Sequence, residues 1–162
     1  MSNKQEKRGA EFEDNVEALT LEVLQSRVTF RLAHLQARLN AQASRLLREK
    51  AGLTLMQWRV MSVIARNGST THGALVRVTV FDKGLLSRTV QNLTEAGLVA
   101  AERDKNDLRS VQLTLTEEGR RRFAAAMPHM RRRHDQLLEG LAPSERAALF
   151  TILDKLDEAA RK

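Results

Sequence analysis

One stretch of the sequence decides the fold: FDKGLLSRTVQNLTEAGLVAAERDKNDLRSVQLTLTEEG, residues 81–119. Its first part predicts a helix from Phe81 to Ala96, because apolar side chains recur there at helical spacing. These side chains are Leu85 or Leu86, Val90 and Leu93. Asp82 is a candidate N-cap residue, and Gly97 follows where a helix C-terminus favours glycine. The pattern indicates a helix with one apolar side and one polar side.

A β-hairpin is predicted directly after this helix. Residues 98–103 make its first strand, residues 109–115 its second, and residues 104–108 a polar turn between them. In the second strand apolar and polar side chains alternate, which is the period of a strand with one buried face. The expected fold class is therefore mainly α with a small β-hairpin wing.

Two further segments precede the helix. Residues 54–57, Thr-Leu-Met-Gln, have the capping-box pattern and begin a short buried helix that contains Trp58 and ends at Asn67-Gly68. A brief segment of about residues 71–76 is too short to assign from its pattern alone. The order helix, short helix, helix and hairpin describes a winged helix-turn-helix lobe over residues 53–115.

Long helices flank this lobe. An apolar stripe predicts a helix from about Thr20 to Lys50, and thirty residues of helix would be about 45 Å long, more than the diameter of so small a domain. A second long helix is predicted over residues 116–139, kinked or interrupted at Pro128, and Pro143 begins a last one. We therefore expect the first helix to pack on something besides its own chain, and residues 1–19 to form a flexible tail.

The composition excludes several classes of function. The 162 residues include no cysteine, so disulfides, thiolate metal sites and cysteine nucleophiles within this chain are ruled out. No apolar stretch approaches the roughly 20 residues of a membrane span, and the polar N-terminus lacks the apolar segment of a secretory signal. No catalytic cluster or Gly-rich phosphate loop stands out. We therefore expect a cytoplasmic protein that is not an enzyme, does not enter a membrane, and has no metal, cofactor or catalytic site.

The charge of the chain favours a polyanionic partner, because the net charge is +7. Within residues 81–115, however, five basic side chains are matched by five acidic ones. Arg59, Arg66 and Arg77 have no acidic neighbour within residues 53–80. The sequence therefore predicts a few placed contacts with double-stranded DNA rather than a broad electrostatic attraction.

The predicted DNA contacts lie on the helix of residues 81–96 and on the wing. In a helix-turn-helix the second helix enters the major groove, where its polar side chains meet base edges and phosphates. The candidates on that helix are Lys83, Ser87, Arg88, Gln91 and Asn92. The wing adds Lys105 in its turn and Arg109 just past its tip, where a basic side chain would reach the minor groove.

Three motifs resemble the MarR (multiple antibiotic resistance regulator) family of transcriptional regulators. Residues 52–60, Gly-Leu-Thr-Leu-Met-Gln-Trp-Arg-Val, are similar to the opening of its DNA-binding lobe. Residues 86–99 are similar to its recognition helix and exit, and residues 104–109 with 113–119 to its wing and the start of the next helix. The Asp-x-Arg wing and the following Leu-Thr-x-x-Gly are the more specific motifs. The resemblance extends over about residues 20–160.

The resemblance implies a homodimer in which the N-terminal and C-terminal helices of the two chains interlock, so that residues 20–52 and 116–162 form a helical dimerisation region. It implies a sequence-specific regulator, commonly a repressor that binds a pseudo-palindromic operator and is released by a small-molecule effector. By the match, Arg88 is a recognition-helix contact and Arg109 is the wing arginine. His34 and Trp58 would border an effector pocket, as in this family; for Trp58, a packing role is the alternative.

Other interpretations stay open for single residues. Arg88 would otherwise be a solvated helix residue, and Arg109 would be the surface partner of a nearby aspartate. The arginine triplets at residues 120–122 and 131–133 are adjacent on helices and point in different directions, which favours solvated or inter-subunit charge over a nucleic-acid patch.

Two other functions stay open for the whole chain. The first is an architectural DNA binder without a preferred site, against which the near-neutral recognition segment argues. The second is a helical protein-interaction module whose winged helix no longer binds DNA. The family often has a basic residue shortly after its Gly-Leu-Val, where this chain has Ala100 and Ala101, and this departure leaves the second alternative open.

Overall fold

The computed structural model of the protein describes residues 21–78, 82–103 and 111–161. The predicted tail, residues 1–19, and the predicted hairpin turn, residues 104–108, lie outside the described residues. The chain divides into two compact units, Met1–Gln42 and Ala43–Lys162. The candidate DNA-binding residues that the structure describes all belong to the second unit.

Two helices make up the described part of the first unit: α1, Leu21–Ser26, and the beginning of α2, Val28–Ala51. Between them Arg27 forms a bend, and the Ser26 hydroxyl donates to the carbonyl oxygen of Val23 at 2.7 Å. A serine hydroxyl bonded to a nearby carbonyl competes with the regular hydrogen bonds of a helix. The prediction of one unbroken first helix is therefore wrong at this point.

The second unit contains the end of α2 and all later elements. They are α3 Leu55–Asn67, β1 Ser69–Thr71, α4 His72–Val78, α5 Lys83–Glu95, β2 Val99–Arg103, β3 Val111–Leu115, α6 Glu117–Glu139 and α7 Pro143–Ala160. From α3 to β3 the order is helix, strand, helix, helix, strand, strand, which is a helix-turn-helix followed by a two-stranded ribbon. The predicted fold class, mainly helical with a small β wing, is confirmed.

The sheet has three antiparallel strands in the order β1-β3-β2. Pairing of β2 with β3 confirms the predicted hairpin, and Ala101 lies opposite Leu113 in it. β1 pairs with the other edge of β3, where Thr70 lies opposite Leu113. Sequence analysis missed β1 and left α4 unassigned, because three and seven residues are too few to show a period.

The core of the second unit lies between the winged-helix elements and the neighbouring helices. Its buried side chains are Leu47, Leu53, Trp58, Val60, Met61, Ile64, Leu75, Leu86, Leu93, Leu98, Val99, Leu113, Leu115 and Ala126. Within α5 the structure decides which leucine faces this core, because Leu86 is 0% exposed and Leu85 is 40% exposed. The recognition helix is thus held by Leu86 and Leu93 on one side.

Thr116 joins the end of the hairpin to α6 and to the turn after α5. Its side chain accepts a hydrogen bond from the backbone N–H of Gly119 at 3.0 Å, as an N-cap residue does, and donates to the carbonyl oxygen of Gly97 at 2.7 Å. Gly97 has a φ of 67°, in the left-handed region that favours glycine. The predicted glycine stop of α5 is confirmed, and one side chain links it to α6.

The last two helices begin where their N-terminal signals predict. α6 follows its N-cap Thr116 and continues through Pro128 to Glu139, and α7 begins at Pro143. α7 has no buried side chain, and Ile152 on it is 54% exposed. None of the helices in the described ranges is long and apolar enough to cross a membrane.

Candidate nucleic-acid interface

The outer side of α5 carries all the candidate DNA contacts that were predicted on it. Leu86, Thr89 and Leu93 are the buried residues of this helix. The five candidates are all exposed: Lys83, Ser87, Arg88, Gln91 and Asn92. Successive residues turn by about 100° around a helix, so these side chains spread over the half of α5 that faces away from the core. The structure thus brings them together on one open surface.

The start of this surface is held by Asp82. Its carboxylate Oδ1 accepts hydrogen bonds from the backbone N–H groups of Gly84 at 2.9 Å and Leu85 at 3.1 Å. A carboxylate at this place also interacts favourably with the positive end of the helix dipole. The predicted N-cap is confirmed. The helix begins at Lys83, directly after this cap residue, and the predicted start at Phe81 lies outside the described residues.

Ser87 is joined to the preceding helix rather than standing alone. Its Oγ lies 2.9 Å from Nε2 of His72, the first residue of α4, and His72 is half-buried. Sequence analysis assigned no role to His72. Fifteen positions separate the two residues in the chain, so no local pattern would have revealed the contact.

The other candidates on α5 differ in how their polar groups are engaged. The Gln91 side chain donates from Nε2 to Glu95 Oε1 at 2.8 Å, one helical turn further along. Lys83 and Arg88 form no ion pair with any carboxylate of the described residues. The amide of Gln91 is therefore partly occupied, whereas Lys83 and Arg88 are exposed without a carboxylate partner in the described ranges.

The wing carries the remaining candidates. β2 and β3 bring the hairpin up to Arg103, which lies opposite Val111. Lys105 and Arg109 fall between these positions, outside the described residues. Their contact with a minor groove therefore stays a prediction.

The two candidate effector-pocket residues lie in different units. Trp58 belongs to the core of the second unit, is 8% exposed, and stacks on Phe123 with 4.5 Å between ring centroids and an interplanar angle of 16°. His34 is exposed in the first unit, where its ring lies 4.3 Å from that of Phe30. Trp58 has the packing role that sequence analysis named as the alternative, and a pocket shared with His34 stays a prediction.

An open groove runs along α6 beside this aromatic pair. It has a volume of about 610 Å³. Its lining residues are Phe123, Ala124, Met127, Pro128, Arg131, Arg132 and Asp135. The lining combines apolar side chains with three charged ones, Arg131, Arg132 and Asp135.

The arginines at the start of α6 are paired within their own helix. Arg120 contacts Glu117, while Arg121 and Arg122 contact Glu118. Hydrogen bonds from Arg121 first, and then from Arg122, lower the pKa of Glu118 from 4.5 to about 2, and the same contact raises the pKa of Arg121. These pairs agree with the interpretation of this triplet as surface charge. No group of three or more His, Asp or Glu side chains with metal-site spacing occurs in the described ranges.

Similarity to known proteins identifies the family of this winged helix. A family model described as the MarR family matches residues 51–110. The HTH-type transcriptional regulator FarR of Neisseria gonorrhoeae is 30% identical over 112 residues, which cover 69% of this chain and 75% of FarR. The chain belongs to the MarR family. It is a DNA-binding transcriptional regulator.

Other members of the MarR family agree in sequence and in fold. The transcriptional regulator HosA of Escherichia coli is 30% identical over 108 residues, which cover 67% of this chain and 80% of HosA. A crystal structure of a MarR/EmrR family regulator from Acinetobacter sp. ADP1 superposes with a TM-score of 0.75, at 27% identity, over 82% of this chain and 94% of that one. A mutant of E. coli MarR, solved in complex with operator DNA, gives a TM-score of 0.66 at 28% identity over 78% of this chain and 93% of that one.

Proposed function

We propose that this protein is a homodimeric repressor that binds a pseudo-palindromic operator and releases it when a small-molecule effector binds. The observation that supports DNA reading most directly is the exposed outer side of α5, with Lys83 and Arg88 unpaired among the described carboxylates. The solved complex of E. coli MarR with operator DNA is similar to this chain and supports the same use of the fold. The proposed DNA-binding lobe comprises residues 53–115.

Each candidate side chain has a role that fits its chemistry. Arg88 would donate two hydrogen bonds to guanine, and Gln91 or Asn92 would form a similar pair with adenine. Lys83, at the first turn of α5, would contact a phosphate and so hold the helix in register. In the wing, Lys105 and Arg109 would approach the minor groove, where readout depends mainly on groove width and A·T content.

The proposed homodimer is supported by apolar side chains that the described residues leave exposed to solvent. On α7 no side chain is buried, and Phe150, Ile152 and Leu153 are exposed. On α2, Val28 and Leu35 are at least half exposed. Apolar rows of this kind gain free energy when a second copy covers them. We therefore propose that residues 20–52 and 116–162 form the dimerisation region.

A dimer would give the operator its symmetry. Two copies of α5 would enter successive major grooves, which are roughly 34–36 Å apart along the duplex. An effector that binds one spacing of the two helices better than another would shift the protein between bound and released forms. Such a regulator works in the compartment that holds the DNA, which supports the expectation of a cytoplasmic protein without enzymatic activity.

The effector is proposed to bind in the groove along α6. Phe123 lines this groove, and its ring stacks on that of Trp58. Two arginines of the lining, Arg131 and Arg132, would attract a carboxylate and outnumber its one acidic residue, Asp135. We therefore propose an aromatic acid as the class of effector.

The test of DNA binding begins with selection of bound fragments from a random DNA pool. The affinity for the selected site and for a scrambled duplex is then measured at two salt concentrations for the wild type, Arg88→Ala and Arg109→Ala. Arg161→Ala is the matched control, because this arginine is exposed at the end of α7 and paired with Asp157. Dimer state and folding of each variant are verified in parallel.

The outcomes separate the three functions. An inverted repeat bound far more tightly than scrambled DNA, and weakened by Arg88→Ala and Arg109→Ala but not by the control, supports the sequence-specific regulator. Binding without preference for any sequence favours an architectural DNA binder. A folded dimer that binds no DNA contradicts the proposal for the ligand-free form and favours a protein-interaction module.

A further inference from the structure

The hydrogen bond between His72 and Ser87 connects the two helices of the helix-turn-helix, α4 and α5, at the surface proposed to face DNA. The distance from Ser87 Oγ to His72 Nε2 is 2.9 Å. Ser87 is exposed on the outer side of α5, and His72 is half-buried at the start of α4. The contact therefore lies beside the groups that would meet the bases.

His72, rather than α5 itself, directs the Ser87 hydroxyl. The two threonines of α5 behave differently: Thr89 donates to the carbonyl oxygen of Leu85 at 2.8 Å, and Thr94 donates to that of Val90 at 3.0 Å. Both threonine hydroxyls thus donate to carbonyl oxygens of their own helix. Ser87 instead bonds a side chain of another helix.

The start of α4 does not depend on the His72 side chain. The hydroxyl of Thr71 accepts the hydrogen bond from the backbone N–H of Ala74 at 3.2 Å, so Thr71 carries the capping contact. A change at His72 is therefore expected to alter the bond to Ser87 while leaving the capping of α4 in place.

The bond limits whether the Ser87 hydroxyl can donate or accept a hydrogen bond in contact with DNA. A serine hydroxyl has one hydrogen to donate and two lone pairs to accept with, and a neutral imidazole nitrogen either donates or accepts. When Nε2 accepts, the serine hydrogen is used and Oγ faces the groove as an acceptor, which fits the amino group of adenine or cytosine. When Nε2 donates, the serine hydrogen stays available, which fits the acceptors of guanine, the oxygen of thymine or N7 of adenine.

We propose that His72 is a specificity-determining positioning residue for DNA binding: by holding Ser87 Oγ, it sets which hydrogen-bond role Ser87 offers to one base pair in each half-site. This inference rests on the proposed function, since it needs α5 to lie in the major groove. Without His72 the hydroxyl would rotate freely and would donate or accept as the base requires. The preference at that base pair would then relax.

The test measures base preference rather than affinity alone. The selected operator is varied one base pair at a time, symmetrically in both half-sites, and the affinity of wild type, His72→Phe, Ser87→Ala and the double variant is measured for each change. His72→Phe keeps a ring of similar size but removes both ring nitrogens. His134→Phe is the matched control, because His134 is exposed on α6 and is not among the proposed DNA contacts. It lies in the proposed dimerisation region, so the dimer state of this variant is verified by sedimentation before its DNA binding is compared. His72→Gln, which retains a hydrogen-bonding side chain, is the second variant at this position.

We expect a preference of roughly three- to tenfold at one base pair in the wild type, the size of one net hydrogen bond. Ser87→Ala, His72→Phe and the double variant should each lose this preference to the same extent, because one residue acts through the other. His72→Gln should retain part of it, and His134→Phe all of it. A preference for cytosine would show that Nε2 accepts, and a preference for guanine or thymine that it donates, whereas adenine offers both a donor and an acceptor.

Other outcomes overturn the inference. If His72→Phe weakens binding to all sequences equally, His72 is a purely structural residue and not a positioning residue. Additive losses in the double variant, or an unchanged preference in folded His72→Phe and His72→Gln, also contradict it. A wild type that binds no preferred site contradicts the proposed function instead, so the two failures are distinguishable.

Discussion

Gly119 lies so close to the backbone of Leu98 that a Cβ atom built on the glycine would be 2.0 Å from the Leu98 carbonyl oxygen. The same oxygen accepts a hydrogen bond from the backbone N–H of Thr116 at 3.1 Å. The first turn of α6 therefore packs directly on the turn that follows α5. A side chain at position 119 would have to push these two segments apart.

Gly119→Ala is expected to lower the free energy of unfolding by about 2 kcal/mol or more, because overpacking against backbone atoms leaves little room for relaxation. Urea denaturation followed by circular dichroism measures the change. Gly140→Ala is the control, since Gly140 has a φ of −75° and a Cβ there would meet nothing within 4 Å. The control should change stability by no more than about 0.5 kcal/mol. Equal stabilities of the two variants would refute the close approach.

Thr116→Ala is expected to cost about 1–2 kcal/mol of stability, because it removes both the N-cap bond to Gly119 and the bond to the Gly97 carbonyl. Thermal unfolding of the wild type and the variant, analysed as a two-state transition, measures this loss in the free energy of unfolding. Thr151→Ala is the matched control: its hydroxyl donates only to the carbonyl of Ala147 within α7, and alanine is the better helix former. We expect the control to be neutral or slightly stabilising, and a comparable loss in both variants would contradict the assigned role of Thr116.

The ion pairs of Glu118 predict a dependence of stability on pH. Its pKa in the folded protein is lowered to about 2 from the ordinary value of 4.5, because Arg121 and Arg122 donate hydrogen bonds to the carboxylate. A lowered pKa stabilises the folded state fully above about pH 4.5, and this contribution is lost as the pH falls from there towards 2. The Tm of Glu118→Gln should therefore lie below that of the wild type at neutral pH and approach it in acid.

Salt provides the control for this comparison. The pairs are exposed to solvent, so about 0.5 M NaCl should shrink the difference in Tm at neutral pH by screening. A difference between wild type and Glu118→Gln that stays constant from pH 7 to pH 3, in low salt, would show that the carboxylate does not titrate as stated.

Leu153→Asp is expected to weaken the dimer, because Leu153 lies on the exposed apolar row of α7 and a carboxylate there would have to lose its water on association. Sedimentation equilibrium measures the dissociation constant, which should rise at least about tenfold. Thr151→Asp introduces the same charge about half a turn away on α7 and should have a much smaller effect. A monomeric wild type at micromolar concentration would disprove the proposed dimer outright.

Trp58 offers a direct test of the effector site. It is the only tryptophan in a chain without tyrosine, so fluorescence excited in the near ultraviolet reports on this one ring. Its partner Phe123 also lines the groove along α6. Benzoate, as a simple aromatic anion, should change the emission in a saturable way and weaken operator binding over the same concentration range. Arg131→Gln should reduce this response, whereas release of DNA without any change in emission would place the effector elsewhere.

Local signals in the sequence were sufficient for the N-terminal caps of α3, α5 and α6 and for the fold class. Thr54 and Gln57 exchange hydrogen bonds of 2.9 and 3.1 Å as the capping-box pattern predicts, and Asp82 caps α5. These contacts join residues two or three positions apart, so a short stretch of sequence is enough to predict them. The polar side of α5, and with it five of the candidate DNA contacts, followed from the same short-range periodicity.

Tertiary structure alone decided the features that depend on residues far apart in the chain. β1 exists because β3 offers it an edge, and three residues of sequence hold no sign of that pairing. The leucine of α5 that enters the core, the bond between His72 and Ser87, and the contact of Gly119 with Leu98 all depend on how separate elements pack. A sequence pattern records which face of an element is apolar. The partner of that face, and the polar contacts made at its border, are determined only when the elements come together and exclude water.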